Sequence, residues 1–528
     1  MKPVHIVSSA QMRWADMQTM QKTPSRTLME RAGYAVAEAV VHNMPDVGRV
    51  VVVAGGGNNG GDGYAAAFFL RRRLPVTVVS LVPVERHTED ARHWRDQAVA
   101  AGVKVRDACG DPRALLDRWC QRAVIIVDAL FGTGLKRPLM GEMALAVERI
   151  NASDRPVLSI DMPSGIDADT GLRQGMAVRA DWTLPIAACK WGHWLGDGPE
   201  HAGCLLSAAD IGIAPETILA AYRACPDGVR NAEVVGEEHL AMAWPERAHR
   251  AHKGDFGHLT ILGGSTGYAG APQLAALGAL AGGVGLVSIV CPTSVWPVIA
   301  AGIREAMVHP QNEASLQLAR RSDACVAGPG WGLKEDVPLA SLLQWDLPLV
   351  LDADALNRVA RSRELQQLLA QRGGWTVLTP HAGEAARLLD CTPAEIERER
   401  RERALRLADR FGCWVVLKGA ETLVVSPEGR MLLSHHGSPN LATGGTGDVL
   451  AGLVGMQLAY AKRRRIGDPM HCVAAAVALH GLAGEKEGWH TSSSLTETIA
   501  RIRQRLERGV PWTLLCSDDR KANKGRKT

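Results

Sequence analysis

The sequence predicts an α/β protein built as two doubly wound domains, and three observations carry that expectation. Short β-branched runs alternate with helix-patterned stretches through both halves. Glycine-rich turns follow several of those runs, where a strand would hand over to a helix. The length, 528 residues, exceeds what one hydrophobic core usually organises.

In the first half, Val50–Ala54, Val76–Val82, Val124–Val127 and Val157–Ile160 read as strands buried on both faces, because they are apolar at nearly every position. Helical patterns fall between them at Tyr64–Arg73, Ala91–Ala101 and Gly141–Ile150. That order implies a parallel sheet with its ligand crevice beyond the carboxyl ends of the strands. The pattern loosens around Pro215, Pro226, Gly228 and Pro245, which places a boundary near Ala224–Val229. A second series follows, with strands at Leu259–Leu262, Leu286–Val290, Ala324–Ala327, Leu349–Leu351, Thr376–Leu378 and Trp414–Leu417. The uncharged stretch Tyr268–Ile303 is broken by Gly282, Gly283, Gly285, Pro292 and Pro297, so it reads as buried core and not as a membrane span. Ala394–Arg410 reads as a charged helix with a solvated face. The expected division is a domain over 1–222, a linker over 223–235, a domain over 236–516 and a basic, disordered tail over 517–528.

Composition excludes several classes. The net charge is +4, and the tail after Cys516 supplies most of it, so the body lacks the basic surface that nucleic-acid binding requires. The 11 cysteines are odd in number and never spaced C-x-x-C, which suits reduced thiols and not a disulfide framework or zinc site. Met1–Met20 shows no apolar core of a secretory signal. The expectation is a cytoplasmic protein that acts on small molecules, with no membrane partner.

Strand Val50–Ala54 runs into Gly55-Gly56-Gly57-Asn58-Asn59-Gly60-Gly61-Asp62-Gly63. The glycines satisfy a dinucleotide fingerprint, for which an NAD-dependent dehydrogenase is the ordinary explanation. Asn58, Asn59 and Asp62 disfavour it, since they offer polar groups where a dehydrogenase wants small apolar packing. Two further strand ends point at the same crevice. One carries Asp128 and then Phe131-Gly132-Thr133-Gly134-Leu135-Lys136-Arg137-Pro138, a phosphate-type loop with two cations. The other carries Asp161-Met162-Pro163-Ser164-Gly165-Ile166-Asp167, in which Asp167 and nearby Asp169 read as caps.

These three segments together resemble the NAD(P)H-hydrate epimerase domain, over roughly residues 1–222. The resemblance implies a Rossmann-like three-layer sandwich that interconverts the R and S hydrates of damaged NADH or NADPH. Carried over by motif, Asn58, Asn59, Gly60, Gly61, Asp62, Gly132, Thr133, Gly134, Leu135, Lys136, Arg137, Pro138 and Asp161 would hold the hydrated dinucleotide. Asn59, Asp128 and Ser164 would coordinate potassium, and Asp161 is the candidate acid or base at the nicotinamide ring.

The most informative segment lies late in the chain. Gly437-Ser438-Pro439-Asn440-Leu441-Ala442-Thr443-Gly444-Gly445-Thr446-Gly447-Asp448 opens directly into an apolar helix. Such a turn aims backbone amides and the positive helix end at an anion, with Asp448 placed to take a proton from an attacking hydroxyl. Other strand ends supply Gly328-Pro329-Gly330-Trp331-Gly332, Asp352-Ala353-Asp354, Thr379-Pro380-His381-Ala382-Gly383-Glu384 and Lys418-Gly419-Ala420-Glu421-Thr422. Lys418 suits a phosphate, and Asp354 and Glu384 suit Mg²⁺, directly or through water.

This series is similar to the ADP-dependent NAD(P)H-hydrate dehydratases of the ribokinase-like superfamily, over about residues 228–516. By motif, Lys418, Gly419, Ala420, Glu421, Thr422 and Gly447 would contact the nucleotide. Ala271, Gly332, His381 and Asp448 would contact the hydrate. The resemblance implies K⁺ and Mg²⁺ as cofactors, ADP as co-substrate and a homo-oligomer. Ser438, Asn440, Trp331 and Ala382 depart from the family pattern. Trp331 is expected to narrow the cleft, and Asn440 to hold a left-handed turn. A vitamin or sugar kinase with a regulatory N-terminal domain is the alternative enzyme, and a dinucleotide-sensing module the non-enzymatic one.

Overall fold

The computed structural model describes residues 3–43, 48–108, 112–333, 338–486, 488 and 491–510, and the tail expected at 517–528 lies outside them. The chain falls into two compact units, Val4–Asp227 and a second from Gly228 onward.

The first unit is built on a seven-stranded sheet in which every pair of neighbouring strands is parallel. Its spatial order is Lys104–Asp107, Val76–Ser80, Arg49–Ala54, Ala123–Ala129, Val157–Ile160, Trp182–Leu184 and Cys204–Leu205. The chain winds outward from Arg49–Ala54 to one edge, then returns to start again at Ala123–Ala129. The switch point, and therefore the crevice, lies between those two central strands. Alternation along the strand explains the layers. Val50, Val52 and Ala54 pack with helix Ser25–Asn43, while Val51 and Val53 pack with helices Pro112–Cys120 and Gly141–Asn151. Both faces are covered, hence the continuous valine run.

The second unit carries a ten-stranded sheet. Strands Asn231–Val234, Arg430–Ser434, Thr422–Val425, Trp414–Leu417, Thr376–Leu378, Leu349–Leu351, Ala324–Ala327, His258–Leu262, Leu286–Cys291 and Met307–Pro310 follow in that order. Only the two pairings made by Thr422–Val425 are antiparallel. Here the switch point lies between His258–Leu262 and Ala324–Ala327. Gly264 N–H donates to the Pro329 carbonyl at 2.9 Å and Ser265 Oγ to the Gly330 carbonyl at 2.8 Å, so the loops after those two strands are tied together.

Helix Thr446–Arg463 packs on this sheet and against helix Gly270–Gly282 at backbone contact. A Cβ on Gly452 would stand 1.8 Å from the Ala275 carbonyl oxygen, and one on Gly278 2.2 Å from that of Val449. This contact sets the first two turns of the later helix against the middle of the earlier one. Gly452→Ala is therefore expected to destabilise the protein by about 1–3 kcal/mol. Alanine's helix preference, about 0.8–1.0 kcal/mol, does not offset a collision with main chain. A lower denaturant midpoint at unchanged slope checks it.

Three expectations are corrected. The stretch 223–235 holds more than a linker, because Asn231–Val234 forms the edge strand beside Arg430–Ser434. Its four residues alternate between half-buried and buried, too short a pattern to stand out. Ala394–Arg410 is two helices, Pro393–Arg398 and Arg400–Phe411, in which Arg400 and Arg401 are buried. Asn440 lies in a short 3₁₀ turn, Pro439–Leu441, and is not among the left-handed residues. Among the described residues no helix is long and apolar enough to cross a membrane.

Candidate active sites

At the switch point of the first unit a cavity of about 650 Å³ opens, lined by Asn58, Asn59, Asp62, Gly132, Thr133, Gly134 and Asp161 together with Asp16 and Lys190. Helix Asn58–Leu70 starts at its mouth without a side-chain cap on Gly57, which leaves its first amides for a ligand. Gly60 is there for packing: a Cβ would stand 2.0 Å from the Gly55 carbonyl oxygen. Leu135 turns into the core, Lys136 pairs with Asp169 at 3.2 Å, and Arg137 and Pro138 are exposed; none of the four lines the cavity.

Asp128, at the end of the central strand, is fully buried. Its carboxylate accepts from Ser164 Oγ at 2.6 Å, Ser164 N at 2.9 Å, Ser159 Oγ at 2.8 Å and Leu130 N at 3.3 Å. Burial raises its pKa above the usual carboxylate range even against those four donors. Asn59 points its Oδ1 toward Gly132, while its buried Nδ2 has no hydrogen-bond partner. Asp161 adopts φ +66°, sparsely populated for a non-glycine residue. Lys190 Nζ makes a short contact with Asp161 Oδ1, and Thr133 N–H donates to Oδ2 at 3.3 Å. Asp16 is pushed up to about 6, first by burial and then by Asp161, with Lys190 opposing. Asp62 is also raised, by burial and by Asp161 and Asp16. Sequence reasoning missed Asp16 and Lys190. Neither lies in a glycine-rich turn, and only the fold brings them to the cavity.

In the second unit the strand ends collect carboxylates around one cation. Lys418 Nζ donates to Asp352 Oδ1 at 2.8 Å and stands 3.9 Å from Glu384 Oε2. Burial opposes the charge on Lys418, but Asp352 and Glu384 outweigh it and its pKa rises. Asp352 also accepts from Thr379 Oγ1 at 2.8 Å, and Asp354 accepts from Gly332 N at 2.8 Å. Ala353 between them has φ +49°, a strained geometry that sets the two carboxylates apart. Among the described residues no three His, Cys, Asp or Glu side chains form a metal-ligand cluster.

Helix Thr446–Arg463 begins at Gly445, φ +91°, with Asp448 in its first turn. Ser492 Oγ holds the Gly444 carbonyl at 2.6 Å and His480 holds the Thr446 carbonyl at 3.0 Å. The side of Gly447 that a Cβ would occupy faces only Lys418 Nζ, at 3.6 Å. Asp448 is pushed up to about 7, by burial first and then by Asp352, with Lys418 opposing and Asp354 and Glu384 adding to the rise. That value suits a group that must take a proton near neutrality.

His381 caps helix Ala382–Leu389: its Nδ1 accepts from Gly383 N at 2.9 Å, and its Nε2 lies 3.5 Å from Glu384 Oε1. Burial, Lys418 and Arg387 lower its pKa, so the ring is neutral. Trp331 is fully buried, so it does not narrow the cleft as expected. Arg400, also missed, donates to the carbonyls of Leu417, Lys418 and Glu421 at 3.2 Å and braces the turn Lys418–Thr422 from beneath. A Cβ on Gly419 would stand 2.4 Å from that guanidinium.

Two families match this chain. One, described as YjeF-related protein N-terminus, matches residues 25–192, and the other, described as NAD(P)H-hydrate dehydratase, matches residues 259–505. The bifunctional NAD(P)H-hydrate repair enzyme of Gloeobacter violaceus is 36% identical over 488 residues, 88% of this chain and 89% of the relative. That of Moorella thermoacetica is 33% identical over 510 residues, 92% of each. Among solved structures, an ADP/ATP-dependent NAD(P)H-hydrate dehydratase from Bacillus subtilis, co-crystallised with ATP and Mg²⁺, is similar at 32% identity and a TM-score of 0.45. It covers 52% of this chain and 98% of that one.

Proposed function

The chain belongs to the bifunctional NAD(P)H-hydrate repair enzymes, and on that premise we propose how its two sites divide the work. The first unit epimerises the R and S hydrates of NADH and NADPH. The second dehydrates the S form with ADP, releasing AMP and phosphate. The observation that carries the second assignment is Asp448, raised to about 7 in the first turn of a helix that brings Gly447 up against the Lys418 ammonium.

Hydroxide is a poor leaving group from the reduced nicotinamide ring. Asp448 takes the hydroxyl proton while the terminal phosphoryl of ADP moves onto that oxygen, forming one O–P bond as another breaks. Amides of Gly444–Gly447 and the Lys418 ammonium stabilise the transferring group. The ring nitrogen then expels phosphate, and loss of a proton from the adjacent carbon restores the reduced dinucleotide. Gly419, Ala420, Glu421 and Thr422 would hold the rest of the nucleotide, and Ala271, Gly332 and His381 the hydrate. Asp354 and Glu384 offer the all-oxygen donors that Mg²⁺ prefers, largely through water, and the ion would neutralise phosphate charge.

In the first unit, Asn59, Asp128 and Ser164 offer hard oxygens to potassium. Among the described residues no ion pair reaches the buried Asp128, and buried charges are otherwise paired or hold a metal. The ion would supply positive charge beside the dinucleotide. Resemblance alone supports a homo-oligomer and a cytoplasmic location.

The test mixes R and S hydrates with Mg²⁺ and ADP and follows recovery of reduced-nicotinamide absorbance. Full recovery supports both activities, half recovery the dehydratase alone, and a stable phosphorylated product the kinase reading. The raised Asp448 fixes the pH dependence. A base must be ionised, so kcat/KM for dehydration should fall about tenfold per pH unit below a limb near pH 7. A limb near pH 4 would remove Asp448 from that role.

A further inference from the structure

Lys190 entered no expectation, yet its side chain is 1% exposed and lies in the wall of the first unit's cavity. A buried ammonium costs several kcal/mol of desolvation unless paired and hydrogen-bonded. Lys190 has two acceptors, Asp161 Oδ1 and the Ile186 carbonyl at 2.7 Å. Lysine carries three N–H donors, so one is left for the cavity.

The backbone of the pair is also clamped. His193 Nδ1 accepts from Lys190 N at 2.9 Å, so its Nε2 carries the hydrogen and donates to the Asp161 carbonyl at 2.6 Å. Burial, with Lys190 adding to it, lowers His193 to about 4, so this bridge stays neutral. Asp161 N–H donates to the Leu184 carbonyl at 2.8 Å and Ile186 N–H to Asp161 Oδ1 at 3.2 Å. A strained carboxylate held by this many bonds against a buried ammonium, both on one wall of a cavity, is preorganised for proton transfer.

Resting on the epimerase reading of this unit, we propose that Lys190 is the second catalytic residue of epimerisation and works with Asp161 by opening the substrate ring. Asp161 takes the hydroxyl proton while Lys190 delivers one to the ring nitrogen. The carbon–nitrogen bond breaks with its electron pair going to nitrogen, and the oxygen forms the second bond of an aldehyde. The aldehyde rotates, the nitrogen attacks its other face, and both protons return. Nothing is oxidised or reduced and no water is consumed. Two groups that touch each other cannot serve opposite faces of one carbon, so inversion must come from rotation of the substrate.

Two measurements decide it, each above the uncatalysed rate. Lys190→Arg keeps a cation against Asp161, but a guanidinium does not yield its proton. Its epimerisation kcat should fall by about 10²–10⁴, with hydrate KM within about threefold and S-hydrate dehydration unchanged. A kcat within threefold of the parent, or a rise in KM alone, overturns the proposal. In ¹⁸O-water the unsubstituted protein should invert the carbon without gaining one ¹⁸O per inversion. One ¹⁸O per inversion means water loss and return, and overturns ring opening whether or not the variant folds. An unsubstituted protein that does not epimerise at all would instead sink the epimerase reading.

Discussion

Asp448→Asn should lower ADP-dependent dehydration by about 10²–10⁴, the usual cost of a lost general base, and leave epimerisation by the other unit at its original rate. In barrier terms that is roughly 2.7–5.4 kcal/mol. Asparagine keeps the shape, so the helix start and its amides stay in place. Stability separates catalysis from misfolding. Burial, and after it the neighbouring Asp352, raise Asp448 in the folded protein to about 7 from its ordinary 3.8. A group raised in this way favours folding below its unfolded pKa, and that contribution is lost as pH rises through the folded value. At pH 8 the native site therefore carries an ionised Asp448 facing Asp352, Asp354 and Glu384, and the neutral variant relieves that repulsion. The expected result is an inactive dehydratase that melts at or above the temperature of the parent at pH 8. A lower melting temperature with proportionally lower activity would show a structural role. Dehydration near the parent rate would remove Asp448 from the mechanism.

The parts of the molecule legible in the sequence are those where one local cause dominates. Val51 and Val53 are buried in one layer and Val50 and Val52 in the other, so a run of valines announces a central strand. Asn59, Asp62, Asp161 and Asp448 each stand at a glycine-rich turn or directly after a strand, and the topology of a parallel sheet brings such positions to one edge. Missed features lack that local mark. Thr422–Val425 and Arg430–Ser434 are four and five residues long, and the first of them runs against the rest of the sheet. Trp182–Leu184 and Cys204–Leu205 are shorter still.

Arg400 shows why charge pattern alone misleads. Its neighbours Glu397, Arg401 and Glu402 read as a solvated face, but the guanidinium is buried under Gly419, paired with Glu397 at 2.7 Å. Nothing within a few residues distinguishes it from an exposed arginine. Lys190 is the same case: its partner Asp161 is 29 positions away, and only the return of the chain past Leu184 joins them. Both carbonyl-bound cations stabilise loops whose turns were legible, so sequence marked the ligand side of each site and left its support unseen.

Asp128→Ala should have the largest effect on the first unit. It strips acceptors from Ser164 N, Leu130 N, Ser164 Oγ and Ser159 Oγ at once. The two hydroxyls can rotate toward other acceptors, but the two backbone N–H groups cannot, and each buried unsatisfied donor costs about 1–3 kcal/mol. A loss on the order of 2–5 kcal/mol follows, together with collapse of epimerisation, while S-hydrate dehydration persists. Asp128→Asn separates the charge from the bonds. It keeps one acceptor but turns an amide NH₂ toward the remaining donors, so it too should destabilise. Potassium is the discriminating readout. If the Asp128 charge helps hold the ion, added K⁺ should raise the melting temperature of the parent and not of Asp128→Asn. Equal stabilisation of both proteins would confine Asp128 to fastening the loops after its own strand and after Val157–Ile160, and would leave Asn59 and Ser164 to hold the ion without it.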